Sequence, residues 1–462
     1  MKKKQLRWTL WTIASPFILF IILCILIYLP PIQNFLVDKA AVYASEATGM
    51  NISVGRISLS FPLNLVVTDV DAASPHKDTL LSVRRLQVNV QLLPLLKKQV
   101  EVDGISLQGA TVNSNDLIHG MRLNGTLGEL FISSHGVALD PETAIVNKVL
   151  LKDTDLSLCL NDTAAADTAA SDTTYWKIIL QDIDLQNVSF ALDMPLDSLS
   201  LAASLDNATL RDGLIDLHKS AYSLQTFRIK NGRVRYDSGR PSATASADSL
   251  SAGLDPSHIA LTDIGVKLDS LYYEGRNMKA IISQFVLKER SGVEIVSTEG
   301  RLVSNDKVLR VPSLKLETRD SYLELNAAMD WDALDFKKEG LVSARLMADI
   351  GKPDVVRFMG SMDEKFIRKY PSEPLRIRTG IDGDLNKLKL TTLTAELPGA
   401  LELFAKGELT SLTDSLLRGG DITLQAETKD LKFISTLAEG IEIPYGTRLE
   451  GKFTMAGPKM GT

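Results

Sequence analysis

The stretch Asn51-Ile52-Ser53-Val54-Gly55-Arg56-Ile57-Ser58-Leu59-Ser60-Phe61, carried on by Leu63, Leu65 and Val67, decides the fold class. Its aliphatic residues alternate with small or polar ones at the two-residue period of a half-buried strand, not at the 3.6-residue period of a helix. The same period returns at Leu86, Val88, Val90 and Leu92 and again at Val100 and Val102, with a short Leu-Pro-Leu-Leu-Lys-Lys knot at 93–98 between them. A looser unit then recurs at 102–112, 183–192, 227–236 and 259–268: one apolar alternation, an Asp, Asn or Gly, then a second alternation. The Asn or Gly punctuation suits a bulge or tight turn, where φ is positive. Irregular spacing excludes a solenoid of strict period.

The composition agrees with a large β protein. The 462 residues are 45% hydrophobic, 6% aromatic and 23% charged, with a net charge of −6, which excludes wholesale disorder. A mildly acidic chain is a poor partner for nucleic acid, whose phosphates demand clustered Lys and Arg. Two cysteines, Cys24 and Cys159, build neither a disulfide framework nor a zinc site, and no cofactor is expected.

The N-terminus reads as a membrane anchor. Lys2, Lys3, Lys4 and Arg7 precede an uncharged run from Trp8 to Val37, almost wholly apolar over 8–29. Those residues as a helix reach roughly 33 Å at ~1.5 Å each, enough for a hydrocarbon core of ~30 Å. Cations before the span and none just after it predict a cytoplasmic N-terminus and an exported body. A cleaved signal peptide would have a shorter apolar run and small residues at its end, where this chain has Pro30-Pro31-Ile32-Gln33. Without the leading cations the body carries about −10, a sign repelled by anionic membrane surfaces.

Pro31, Ile32, Leu36, Tyr43 and Ala47 then fit a helix that Gly49 ends. The run Asn-Asp-Thr-Ala-Ala-Ala-Asp-Thr-Ala-Ala-Ser-Asp-Thr-Thr at 161–174 reads as an exposed linker or loop tip, and Pro353 to Tyr370 as two short helices before Pro371. The expected organisation is a cytoplasmic tail (1–7), an anchor (8–29), a linker helix (30–49), a first β region (50–160), a linker (161–175), a second β region (176–350), a helical insert (351–371) and a last β region (372–462). That last region stops with a strand in progress, as an incomplete sheet would. At about 10–12 residues per strand and turn, the exported body holds roughly 35–40 strands.

A charged N-terminus, one span, a helix ending in Gly and then Asn51-Ile52-Ser53-Val54-Gly55-Arg56-Ile57 together form an ordered pattern. It continues with Leu65-Val66-Val67-Thr68-Asp69-Val70, Asp78-Thr79-Leu80-Leu81-Ser82-Val83, Leu92-Leu93-Pro94-Leu95-Leu96 and Val102-Asp103-Gly104-Ile105. This order resembles the start of the AsmA-like superfamily, and specifically the TamB (translocation and assembly module) family, over about residues 1–113. Beyond that the likeness is one of style. The resemblance implies a mainly β fold: one N-terminal transmembrane helix followed by an elongated, curled, groove-like β-sheet with short helical inserts. It further implies an anchor in the bacterial inner membrane, a periplasmic body and a non-enzymatic role in phospholipid transport or outer-membrane protein assembly. TamB proteins are usually far longer and meet an outer-membrane barrel partner through a C-terminal domain that has no counterpart in these residues. Such a partner is expected only if a longer C-terminus exists.

A sheet with one apolar face must close it into a core or leave it as a groove that phospholipid acyl chains fill. At ~0.8 kcal/mol per methylene a 16-carbon chain gains on the order of 10 kcal/mol there. Groove candidates are Leu156, Leu158 and Leu160, then Val188, Phe190 and Leu192, then Val266 and Leu268, and Leu388 and Leu390. Ordinary core packing explains the same residues, and a structural or adhesive β protein with a closed core is the alternative reading. A membrane-tethered β-helix enzyme is a third, but converging catalytic groups are missing. His76, His119, His135, His218 and His258 are dispersed, and Ser304-Asn305-Asp306-Lys307 matches a Ser-x-x-Lys pattern without its partner motifs. Asp followed by Ser or Thr recurs, three times within 161–174. There it resembles a bacterial periplasmic O-glycosylation signal at Thr163, Thr168 and Thr173, and equally the ordinary content of a solvated loop.

Overall fold

The computed structural model describes residues 49–60, 64–74, 79–91, 102–114, 120–138, 142–161, 175–239, 253–335, 340–358, 364–412, 418–436 and 444–455, with single positions in 39–46 and at 338. The expected anchor at 8–29, the tail before it and Thr163, Thr168 and Thr173 lie outside the described residues. Among the described residues no helix is long and apolar enough to cross a membrane. Lys39, Ala41, Val42, Ser45 and Glu46 are helical, and Gly49 ends that helix at φ +68°, its N–H donating to the Ser45 carbonyl at 2.9 Å. The Ser45 hydroxyl accepts from Ile52 N–H at 3.0 Å and so ties the helix to the first strand.

The protein is mainly β, in two compact units, 1–196 and 197–462. The first holds β1 (Asn51–Ser60), β2 (Asn64–Ala73), β3 (Thr79–Val90), β4 (Val102–Asn113), β5 (Met121–Ala138), β6 (Thr143–Leu160) and β7 (Lys177–Met194). Strands β1 to β6 pair with their sequence neighbours, antiparallel, and β7 lies parallel to β6. Lys177 therefore sits beside Thr143, so Asn161 and Tyr175 lie at opposite ends of β6.

The second unit holds β8 (Leu199–Asp216), β9 (Ala221–Leu224), β10 (Thr226–Ser238), β11 (His258–Glu274), β12 (Asn277–Glu289), β13 (Glu294–Ser304), β14 (Val308–Thr318), β15 (Tyr322–Asp330), β16 (Val342–Ile350), β17 (Leu375–Gly383), β18 (Lys387–Leu397), β19 (Leu401–Thr410), β20 (Gly419–Thr428) and β21 (Arg448–Met455). β9 and β10 are one strand interrupted at Gln225, lying between β8 and β11. From β11 onward every strand pairs antiparallel with the next. Two short helices, α1 (Lys352–Phe358) and α2 (Glu364–Lys369), separate β16 from β17.

The described residues form 21 strands, some of 18 residues, where about 35–40 shorter ones were expected. The reason is a step in the apolar pattern. In β1 the less exposed residues are Ile52 and Val54, then Ile57 and Leu59, with Gly55 and Arg56 both exposed between them. The spacing across the break is three, not two. The same step separates Val67 from Val70, Val83 from Leu86, Leu107 from Ala110, Leu127 from Leu130, Leu151 from Thr154 and Leu185 from Val188. Read as a turn, such a break ends a strand; in the structure the strand continues through it.

The backbone explains how. Asp69, Gly109, Asp153 and Asn187 have φ of 54°, 63°, 50° and 51°, a conformation that turns the strand about its axis and restores the apolar residues to the same face. These residues and Gly55, Arg84 and Gly128 occupy one register line across β1–β7. The pairings on either side of that line are in step while the pairing on it is missing. Gly55 and Gly128 are required there: a Cβ would fall 2.9 Å from the Asp69 Cβ and 2.8 Å from the Asp153 Cβ. Asn231 and Asp263 repeat the device in the second unit at φ 56° and 53°.

Among the described residues one cluster of buried side chains forms in the second unit. Phe366 of α2 joins Tyr370, Leu397, Ala400, Leu431 and Phe433. The Phe366, Tyr370 and Phe433 rings stand 5.2–5.8 Å apart, two of the three contacts edge-on. Burial holds the Tyr370 hydroxyl above its ordinary pKa.

Candidate functional site: an apolar sheet face

Cross-strand partners project from the same side of a sheet, so the registers show which residues share a face. In the first unit Ile57, Val67, Leu86, Leu107, Leu130, Leu151 and Leu185 form one row across all seven strands. Leu59, Leu65, Val88, Ile105, Ile132, Val149 and Ile183 form the next. On the other side of the register line run Val54, Val70, Val83, Ala110, Leu127, Thr154 and Val188, then Ile52, Ala72, Leu81, Val112, Gly125, Leu156 and Phe190. No charged residue interrupts these rows.

The second unit repeats the arrangement. One row joins Leu210, Phe227, Leu268, Ile282, Gly300, Leu314, Leu325, Leu346, Thr379, Leu393, Ala405, Leu424 and Gly451, reaching from β8 to β21. Beside it lie Leu316, Leu323, Ala348, Ile377, Ala395, Leu403, Ala426 and Leu449. The alternate rows are polar and carry cross-strand ion pairs: Lys288–Asp263 at 2.8 Å, Lys429–Glu402 and Lys452–Asp421 at 3.2 Å, and Arg376–Glu396 at 3.4 Å. All are exposed, and each contributes at most about 1 kcal/mol. Their work is to keep one face wet while the other is apolar.

The sequence candidates fall on the apolar face. Leu156 pairs with Phe190 and Leu158 with Leu192; Leu123 continues the second pair onto β5, where Met121 faces Leu160. Val188 faces Thr154. Val266 lies between Ile229 and Phe285, and Leu268 between Phe227 and Ile282. Leu388 faces Gly383 and Leu409, and Leu390 faces Ile381 and Gly407. Candidates thus lie on the apolar face of each unit. All are half-buried except Phe190, which is 38% exposed. Sequence reasoning missed most of the rows, Leu314, Leu325 and Leu346 among them. The signal was the three-residue step, which a strict two-residue template discards.

Polar chemistry is dispersed. Ser304 and Lys307 flank a hairpin turn in which the Asn305 side-chain oxygen accepts from the Lys307 and Val308 N–H groups at 2.9 and 3.0 Å, and the Ser304 hydroxyl accepts from the Trp331 indole at 3.2 Å. His258 contacts Asp255 at 2.9 Å. A hydrogen bond from Ser257 N–H, then the His258 side chain, holds the Asp255 carboxyl below its ordinary pKa. Among the described residues no group of His, Cys, Asp or Glu could hold a metal ion. A shallow concavity of about 360 Å³ over β18–β21 has Glu396, Glu402, Glu427 and Arg448 in its lining.

One polar cluster was not legible in the sequence. The Asp354 carboxylate, 1% exposed, accepts from Thr318 Oγ1, from Ser321 Oγ at 2.6 Å and from Arg357 at 3.0 Å. Arg357 also reaches Asp320 at 2.7 Å, and its main-chain oxygen accepts from Leu254 N–H. These bonds pin α1 to the turn between β14 and β15, and every member has partners within the protein. Its place is structural.

Comparison with protein-family models and with curated proteins found no match.

Proposed function

We propose that the protein is a non-enzymatic carrier of the bacterial cell envelope, anchored in the inner membrane by residues 8–29, whose apolar sheet face receives phospholipid acyl chains in the periplasm. The observation that carries this reading is the set of uncharged, mostly aliphatic rows of cross-strand partners, one of them reaching from β8 to β21. Transport along a face needs many similar sites and no deep trap, and near-uniform aliphatic rows supply that. Most residues of the rows are half-buried, although Ala72, Val83, Thr154, Ala348 and Ala405 are buried, and the cluster around Phe366 is formed by other residues. The resemblance of residues 1–113 to TamB proteins points the same way, and extends the proposal to a part in outer-membrane protein assembly.

The test is photo-crosslinking in cells from Leu158, Phe190 and Leu268, with Ser157 and Ser189 as controls from the alternate rows. Phospholipid captured at the first set and not at the second supports the proposal. Capture only from the serines, or none at all with well-expressed protein, refutes it.

A further inference from the structure

The register line through β1–β7 has a property beyond restoring the apolar face. At that line the ladder lacks one pairing between every neighbouring pair of strands, always at the same level: Gly55 with Asp69, Asp69 with Arg84, Arg84 with Gly109, Gly109 with Gly128, Gly128 with Asp153, and Asp153 with Asn187. Ladder hydrogen bonds are what make a sheet resist bending across its strands. A gap in one strand pair is absorbed by its neighbours, whereas a gap at one level in all of them leaves a line with no neighbour to stiffen it.

Six of the seven residues on the line, all but Arg84, are ones that tolerate bending. Three are glycines, without a Cβ to clash, and Asp69, Asp153 and Asn187 already hold the left-handed conformation. On the line itself β6 and β7 are linked by a side-chain hydrogen bond, from Asn187 Nδ2 to Asp153 Oδ1 at 2.8 Å. Apolar rows border the line on both sides: Val54 through Val188 on one, Ile57 through Leu185 on the other.

We infer that this line is a hinge, about which the two halves of the first unit fold toward their shared apolar face and change its width. The ladder has no pairing to lose along the line, and bending there brings two sets of aliphatic rows together over whatever lies between them. The hinge stands on the register and the backbone angles alone. Its role in closing over an acyl chain rests on the proposed carrier function.

Two spin labels on β6 test it in the full chain held in a nanodisc, with Cys24 and Cys159 replaced by Ser. Lys148→Cys and Asp155→Cys, both exposed, straddle the line and lie about 23 Å apart at ~3.3 Å per residue. The control pair is Asp421→Cys and Thr428→Cys on β20, the same number of residues apart on a strand whose ladders on both sides are continuous. The hinge predicts a distance distribution about twice as wide for the β6 pair as for the β20 pair, and its narrowing on addition of a 16-carbon lysophosphatidylcholine. Equal widths for the two pairs, unchanged by the lipid, overturn the hinge. A wider β6 distribution that the lipid leaves untouched keeps the hinge and counts against the carrier reading instead.

Discussion

Gly128→Ala tests whether the register line is a fitted feature of the fold. The added methyl would stand 2.8 Å from the Asp153 Cβ, 2.9 Å from the Asp153 carbonyl oxygen and 3.0 Å from the Lys152 carbonyl oxygen. Carbon atoms rest at about 3.5–4.0 Å, so the methyl needs roughly half an ångström or more of extra room. Two of the three obstacles are main-chain atoms, which no rotamer change can move. They sit between the paired residues Leu127–Thr154 and Glu129–Lys152, so β5 and β6 must part. Overpacking of this kind costs about 1–3 kcal/mol. At roughly 3 °C per kcal/mol for a unit of this size, the melting temperature should fall by about 3–9 °C, read by circular dichroism on the full chain. Asp153→Gly keeps the left-handed backbone accessible and removes one obstacle. The double variant should therefore recover part of the loss, the two carbonyl oxygens remaining. Gly275→Ala, at φ +58° with nothing within 4 Å, isolates the cost of backbone strain alone. The reasoning fails if Gly128→Ala melts with the parent protein, or if Asp153→Gly restores none of its loss.

Three further outcomes are expected. Asp354→Ala leaves Arg357, Thr318 and Ser321 without their shared acceptor and should cost about 3–5 kcal/mol in urea unfolding, with Asp354→Asn losing less. Phe366→Ala opens a cavity among Tyr370, Leu397 and Phe433 and should cost about 3–5 kcal/mol by the same measurement, whereas Phe366→Leu should cost under about 1.5 kcal/mol. Asp255 has a depressed pKa in the folded state, so its contribution to stability is full above its ordinary value of 3.8 and is lost as pH falls through the lower folded value. Melting curves of Asp255→Asn and the parent should differ near neutral pH and converge in acid; a constant difference would contradict that linkage.

The sequence by itself determined that the body is a β-sheet with one apolar face. Alternation depends only on successive side chains pointing to opposite sides, a property of any extended chain. It also marked the units at 102–112, 183–192 and 227–236 as places whose Asn or Gly suits a positive φ, which Gly109, Asn187 and Asn231 adopt. It placed two short helices before Pro371, because that segment loses the strand period. Strand number was misjudged because a three-residue step in one strand looks the same as a turn between two. Only the neighbours distinguish them: the step is a continuation where the residues on both sides stay in register with the same partner strand, and that is a fact about pairs of strands. The parallel pairing of β7 with β6 was hidden for the same reason, since local sequence carries no record of which distant strand lies alongside. Asp354 stood in the sequence as one acid among 57 acidic residues. Burial against Thr318 and Ser321, more than thirty residues away, is what made it a fastener, and only the folded chain brings those groups together.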